Sequence, residues 1–587
     1  MARTDEKHLS VMTSETASTS DEKHLSKFTM SSAVSVSSLE AAHPNAKTDA
    51  SPEWKPSKQI KLIVLGQICV LFAISLDMTI LTATLPTVAQ ALHANSVETF
   101  WIAASYLLAN AVVQPVMAAL ADIFGRRSVI FTALALFTIG SIICCAANNV
   151  AAMLAGRTIQ GIGGGGILSV NLIIISDLIP LRARPKFISI QQLVVSIGFN
   201  IAPIIGGVLV KVTTWRWLFY INLPFCGIGL VVIPFVLKYQ KPESTVGEKL
   251  SSVDWIGSTS FISGMTATLV GLTWGGSQFS WTSAATLVPL IGGIFVVCGT
   301  GLYEKYLATT TFLRTSLFST WSAIAIYFCT VLQGLTLFSE VYFLCLYLIT
   351  VKLHTPLEAG TYLLAFSAVC VPTSGIIGPL IARVGSYRWA IWIGWIMTTL
   401  SLGLLTLLNV HTPTKVWVVL FIVAGLGQGI LFIAHSVASQ AACRQKDAAH
   451  ASAMYSFMRS LGLCLGVALG GAIWTNFFAQ RLVHLGLPAE IAKSGEAAVY
   501  ILKTMTDLAL KESIIGAIAW SFRMLFATLC GISGLGLIIA CCFIKGHSLD
   551  QDLETEHVLR SEKTDVAVPE PGSPALERKW SITSGVC

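Results

Sequence analysis

Between about residue 60 and residue 545 the chain is a succession of long apolar runs separated by short polar gaps. Fourteen runs reach the ~20 residues that a helix needs to cross a ~30 Å hydrocarbon layer. They lie near 61–86, 99–120, 128–147, 151–175, 188–210, 217–237, 255–274, 285–304, 320–349, 358–382, 388–409, 416–438, 452–475 and 524–545. Helix is the expected form, because a segment in lipid must satisfy its own backbone and barrel strands are shorter and alternate in polarity. Two polar tails flank this region. Residues 1–59 are rich in Ser, Thr and charge and carry DEKHLS twice, at 5–10 and 21–26; residues 547–587 hold Pro569, Pro571 and Pro574. Neither tail has the apolar area that offsets ordering entropy, so both are expected to be disordered.

Composition makes the membrane reading firm. Of 587 residues, 12% are charged and 54% hydrophobic, against about 25% charged in soluble proteins. The formal charge of +7 is spread thinly over the gaps and reads as a topology signal rather than a nucleic-acid surface. With the N-terminus in the cytoplasm, short inner loops hold 14 Lys/Arg, including Arg126, Arg127, Arg182, Arg184, Arg383 and Arg444. The short outer loops hold four: Lys211, Arg216, Lys352 and Lys415. That bias predicts both termini inside and an even number of spans. One long outer loop, about 477–523, is the exception and is long enough for a short amphipathic helix of its own. The cysteines show no CxxC spacing and fall mostly inside apolar runs, so they read as small buried hydrophobes.

No enzyme constellation emerges. His411, His435, His450 and His484 are scattered, without HExxH or a Cys/His cluster. The glycines of GRTIQGIGGGGIL (156–168) lack the Lys-Ser/Thr ending of a phosphate loop and lie inside a span, where small residues permit close helix packing. No metal or cofactor is expected, and no engine for ATP-driven transport is visible. Ionisable groups inside spans are costly and face a cavity or a partner, which singles out Asp77, Arg157 and Glu340. Arginine stays charged at ordinary pH, so Arg157 tunes a neighbouring acid rather than carrying the proton. Polar and aromatic residues within spans are candidates for lining a solute cavity: Tyr106, Asn110, Gln114, Gln191, Gln192, Asn200, Gln333, Tyr342 and Tyr347. In QQLVVSIGFNIAPIIGGVL (191–209), Pro203, Gly206 and Gly207 favour a tight, kinked helix contact. The loop ALADIFGRRS (119–128) sets Asp122 against Arg126 and Arg127 around Gly125, a candidate latch. GPLIARVGSYR (378–388) echoes it, which points to an internally duplicated bundle of the kind secondary transporters use.

These motifs in this order resemble the major facilitator superfamily, specifically its fungal fourteen-span drug:proton antiporter branch, over residues 60–545. AALADIFGRR (118–127) resembles the family's G-x-L-A-D-x-x-G-R-[KR] loop, with Ala118 in place of the first glycine. GRTIQGIGGGG resembles the fourth-span motif, SIGFNIAPIIGG the antiporter signature with Ala202 before Pro203, and LDMTILTATLPTVAQAL (76–92) the first-span signature. WRWLFYINLP (215–224) is similar to the start of span six. YFLCLYLIT (342–350) departs from the branch's ninth-span ending at Cys345 and Ile349.

The resemblance implies an all-α integral membrane protein with a major facilitator fold: two pseudo-symmetric six-helix halves (60–240 and 316–546) plus two extra central helices (241–315), fourteen in all. It implies a cytoplasmic latch of Asp122 and Arg126 with Arg459 as the partner across the halves, proton coupling through Asp77 and Arg157, and an export-associated bend at Pro203. The expected function is proton-driven export of small amphipathic organic compounds, a drug, toxin or secondary metabolite, by alternating access. A proton-coupled importer such as a siderophore-iron transporter, and a non-transporting substrate sensor, are the alternatives. Partners are the solute, protons and the lipid bilayer, with no nucleic acid, and the functional unit is expected to be a monomer. The plasma membrane is the expected location, the vacuolar membrane the alternative.

Overall fold

The computed structural model describes residues 56–94, 96–237, 245–275, 278–308, 310–312, 314–444, 447–488 and 507–549. The DEKHLS repeats and nearly all of both tails lie outside the described residues. The described chain is helical throughout: α1 (Lys58–Ala91), α2 (Ser96–Phe124), α3 (Arg126–Ala146), α4 (Val150–Leu178), α5 (Arg184–Val212), α6 (Trp217–Tyr220), α7 (Asn222–Val236), α8 (Val246–Ser251), α9 (Trp255–Trp274), α10 (Ala284–Tyr306), α11 (Trp321–Thr350), α12 (Pro356–Val384), α13 (Arg388–Leu405), α14 (Thr414–Ala441), α15 (Ala448–His484) and α16 (Leu508–Phe543).

Local chemistry explains many of the starts. Side chains of Ser57, Asn149, Thr320 and Asp507 accept from backbone N–H groups in the first turns of α1, α4, α11 and α16, satisfying donors that a helix leaves open. Thr355 and Glu358 form a reciprocal capping box on α12. Gly125 before α3 and Gly385 after α12 have φ of 89° and 70°, a region in which glycine is favoured. The two echoing loops therefore share a left-handed glycine beside their arginines.

Thirteen helical segments among the described residues are long and apolar enough to cross a membrane, with α6 and α7 forming one of them. The fourteenth expected span is present as α9, which has 20 residues but carries seven Ser/Thr and is less apolar than the rest. Its partner α10 covers part of it, and most of α10 faces outward. The expected 477–523 loop is shorter than the sequence pattern indicated. Helix α15 continues to His484 and α16 starts at Leu508, and their extra turns pack Phe478 and Leu482 with Ile514 and Ile518 in one apolar core. Hydropathy marks where lipid ends, whereas a helix ends where its backbone finds other partners. The segment in which a short loop helix was expected, 489–506, is outside the described residues.

The burial pattern is inverted relative to a soluble protein. Phe235, Phe295 and Trp321 are more than 70% exposed, while Asp77, Gln114, Arg157, Glu340, Gln428 and His435 are buried. This is the arrangement of a bundle whose solvent is hydrocarbon. Helices α1–α7 pack chiefly on one another, and α11–α16 do likewise; α5 on α12, and α15 on both α2 and α4, join the two groups. Helices α9 and α10 pair with each other, and α9 touches α2 and α15.

The glycine run of α4 serves this packing. A Cβ on Gly163 would come 2.5 Å from the Ala133 carbonyl oxygen in α3, and one on Gly161 2.6 Å from the Tyr106 carbonyl oxygen in α2. Both distances are far below van der Waals contact, so α4 is wedged between α2 and α3 in a way only glycine allows.

Candidate transport site

Asp77, in the middle of α1, is fully buried and accepts three hydrogen bonds. Its Oδ2 lies 2.7 Å from Arg157 Nη1 of α4. Its Oδ1 accepts from Gln160 Nε2 at 2.8 Å and from Asn222 Nδ2 of α7 at 2.9 Å. Arg157 also donates to Gln160 Oε1 at 2.8 Å and to the Ile102 carbonyl of α2 at 3.3 Å, and its guanidinium stacks 4.4 Å from the Tyr106 ring centre. Gln160 extends the network to Ser141 of α3 at 2.9 Å. Five helices thus converge on one buried ion pair. Arg157 and Gln160 share a helix face because they are three residues apart. Gln160 and Asn222 were not among the sequence candidates; Asn222 belongs to WRWLFYINLP, yet nothing local indicates that it reaches Asp77.

Glu340 of α11 is equally buried but has a different shell. Its Oε2 accepts from Gln428 Nε2 of α14 at 2.9 Å and its Oε1 from Ser401 Oγ of α13 at 3.3 Å. Gln428 also meets Thr336 and Gln333 of α11, each at 3.2 Å. No cation lies within ion-pair distance of Glu340 among the described residues. One acid is therefore matched by a fixed positive charge, while the other sits among neutral amide and hydroxyl groups.

At the end of the bundle that the charge bias assigns to the cytoplasm, the two helix groups are tied together. Arg126 Nη1 lies 2.6 Å from Asp122 Oδ1 and its Nε 3.0 Å from Asp177 Oδ2, at the end of α4. The second oxygen of Asp122 accepts from Nε2 of His450, in the first turn of α15. Arg184 Nη1 and Ser176 Oγ both reach Gln440 Oε1 of α14, at 2.9 and 3.3 Å, and Ser189 donates to the Ser374 carbonyl at 2.9 Å. The expected partner, Arg459, is not at this latch. Helix α15 begins at Ala448, so Arg459 lies about 16 Å further along its axis, with its guanidinium 4.1 Å from the Phe432 ring centre. Arg127 is exposed and takes no part. His450, Asp177, Arg184 and Gln440 belong to the assembly although the sequence did not mark them.

Helix α5 runs unbroken through Pro203. At Gly206 a Cβ would approach the Ile80 carbonyl oxygen of α1 to 2.9 Å, so this glycine permits close contact with the helix that carries Asp77; Gly207, beside it, is half-buried.

The cavity candidates divide into several fates. Gln114 spans the two groups, donating to Asn110 Oδ1 at 3.1 Å and to Ser460 Oγ of α15 at 2.8 Å. Tyr106 belongs to the Arg157 cluster and Gln333 to the Glu340 cluster. Gln191 is buried inside the first group, bonded to Gln67 and Asn171, and Gln192 reaches Ser196 of its own helix, at 3.4 Å. Tyr347 is buried and donates to the Asn409 carbonyl at 2.9 Å, a pin at the outer end rather than a cavity wall in this conformer. Beside it Lys352 donates to the Val410 and Thr412 carbonyls, and burial lowers its pKa from the ordinary lysine value. Tyr342 sits edge-on to Phe343 with centroids 5.0 Å apart. The side chain of Asn200 lies outside the described residues.

A many-span helical bundle with buried, partnered charges and polar ties between two helix groups is the architecture of a multi-pass membrane protein. The chain belongs to the Major Facilitator Superfamily, whose sequence signature matches residues 68–467. It is 36% identical over 529 residues to "MFS transporter L2" of a Phoma species, covering 89% of this chain and 88% of that protein. It is 33% identical over 516 residues to "MFS efflux transporter aclA" of Aspergillus oryzae (85% and 92% covered), and 31% identical over 533 residues to "Efflux pump FUS6" of Gibberella fujikuroi (89% and 96%). Two solved structures share the fold: the human organic anion transporter MFSD10, with TM-score 0.53, 14% identity and 83% of this chain covering all of that one, and the proton:xylose symporter XylE, with TM-score 0.50, 13% identity and coverages of 83% and 97%. The chain is accordingly a multi-pass small-molecule transporter and not an enzyme. Among the described residues no group of three His, Cys, Asp or Glu is placed to hold a metal.

Proposed function

We propose that this protein is a proton-coupled exporter of small amphipathic organic compounds, working by alternating access between two six-helix halves, α1–α7 and α11–α16, with α9 and α10 as an added pair. The observation that carries the reading is the contrast between the two buried acids. Asp77 is locked to Arg157, whereas Glu340 faces only neutral partners and is chemically equipped to hold a proton without a resident counter-charge. The assembled Asp122–His450 and Gln440 contacts support taking this conformer as closed toward the cytoplasm. Glu340 takes a proton from the outer side, the halves rock, the proton is released inside, and solute replaces it for export. One proton crossing 100 mV supplies ~2.3 kcal/mol; at about 1.4 kcal/mol per tenfold, that sustains a roughly fortyfold outward gradient of neutral solute. The similarity to fungal proteins named efflux pumps supports the outward direction. We place the protein as a monomer in the plasma membrane with both termini cytoplasmic.

The test has two stages. Compounds retained by cells with and without the protein are compared without preselection, and a compound retained only in its absence is then added to proteoliposomes that report internal pH. Proton movement opposite to the solute supports antiport. Movement in the same direction would make it an importer, and no coupled movement would sink proton coupling.

A further inference from the structure

Arg157 and Arg459 both lie well inside membrane-spanning helices, and among the described residues only Arg157 has a carboxylate within ion-pair distance. Arg157 is paired with Asp77 at 2.7 Å. Arg459 is about 16 Å along α15, and among the described residues no carboxylate lies within ion-pair distance of it. Its Nε is buried and finds no hydrogen-bond partner. The residue as a whole is half-buried, so part of the side chain stays accessible. An uncompensated cation at this depth is costly, and such residues mark solute or ion pathways.

The surroundings are built rather than accidental. Helix α15 is pressed so closely on α11 here that a Cβ on Gly334 would stand 2.5 Å from the Arg459 carbonyl oxygen, which fixes the backbone from which the side chain projects. The guanidinium lies 4.1 Å from the centre of the Phe432 ring, and Tyr455, one turn earlier, donates to the Phe432 carbonyl at 3.0 Å, holding that platform in place. The next residue, Ser460, accepts from Gln114 of α2 at 2.8 Å, so Arg459 stands at the seam between the two helix groups. A planar cation backed by an aromatic ring suits a planar anion that carries an apolar body.

We propose that Arg459 is a recognition point for the anionic group of the transported solute, and that the preferred solutes are aromatic or otherwise apolar organic acids. The proposal rests on the transporter reading above and deepens it by naming a substrate class.

The test is equilibrium binding to the full-length chain in lipid nanodiscs, with no proton gradient, using 2-naphthylacetate, its methyl ester and 2-naphthylethylamine as probes. The wild type is expected to bind the acid at least tenfold more tightly than the ester, and the amine least. Arg459→Gln is expected to bring acid and ester to equal affinity, while Arg459→Lys keeps most of the preference. A wild type that binds the acid no more tightly than the ester, or binds none of the probes, overturns the proposal, as does Arg459→Gln with the preference intact. The wild-type comparison needs no variant, so a misfolded Arg459→Gln leaves the test decisive. Because no gradient is applied, the outcome is independent of export direction and proton coupling, which the flux experiment reports separately.

Discussion

Arg157 and Asp77, eighty residues apart in sequence, meet at 2.7 Å with both side chains almost fully buried. The pair is held by Gln160 and Asn222 as well, so three of the carboxylate's roughly four acceptor sites are used. Such a pair costs desolvation to assemble, and breaking it is worse than never having made it, because the survivor is left bare.

Asp77→Asn is therefore expected to lower stability by roughly 3–5 kcal/mol through the stranded guanidinium. Asp77→Asn combined with Arg157→Gln removes both charges and should regain much of that loss. Thermal midpoints in detergent read the non-additivity. Uphill, pH-driven transport is expected to be lost in the single and the double variant. A single variant with the wild-type midpoint and wild-type coupled flux would remove the pair from the mechanism.

Glu340→Gln tests the other acid with little change of shape. The amide oxygen still accepts from Gln428 or Ser401, so the folded yield and thermal midpoint should stay close to the wild type. Exchange of labelled solute across equal concentrations should continue, because the halves still rock. Accumulation against a gradient should fall to background, because nothing carries the proton. Retained uphill transport would show that the proton travels elsewhere.

How much of this was legible follows from what each signal costs. Asp77, Arg157 and Glu340 stood out because a charge inside an apolar run is expensive, and Asp122 with Arg126 because the loop is short and dense in charge. Their partners were not legible. Gln160 shares a helix turn with Arg157, but Asn222 reaches Asp77 only through the packing of α7 on α1, and His450 looked like one scattered histidine among several. The resemblance points to Arg459 as the latch partner, near the start of the apolar run at 452–475. The helix starts at Ala448, and it is His450 in its first turn that faces Asp122. Gln191 and Tyr347 show the limit from the other side: a polar atom in a span must find a partner, and that partner is as often a neighbouring helix as a solute.

The wedge of α4 gives a packing test independent of transport. Gly163→Ala puts a methyl group where the Ala133 carbonyl oxygen is only 2.5 Å away, and overpacking of this kind typically costs about 1–3 kcal/mol. Gly292→Ala, on α10, meets nothing within 4 Å and should be neutral. A thermal midpoint that drops for the first variant and holds for the second is expected; equal midpoints would mean that α4 can move away from α3 at little cost.

The latch makes the last prediction. Asp122 is held by Arg126 from its own loop and by His450 from the other helix group, so of its two bonds only the second must break, along with the Gln440 and Ser374 contacts, for the groups to part at this end. A hydrogen bond to a charged group contributes about 1.5–3 kcal/mol, enough to shift an open–closed equilibrium tenfold or more. Ala453 is a suitable reporter: it is buried with Ala118, Ile173 and Ala449 beside the latch. With the exposed Cys298, Cys541 and Cys542 and the C-terminal Cys587 replaced by Ser, Ala453→Cys should react slowly with a membrane-impermeant maleimide added on the cytoplasmic side. His450→Ala should raise that rate at least tenfold, while Arg127→Ala, which removes an exposed charge outside the latch, should leave it unchanged. An unaltered rate in His450→Ala would mean that Gln440 and its partners hold the end closed without help from Asp122.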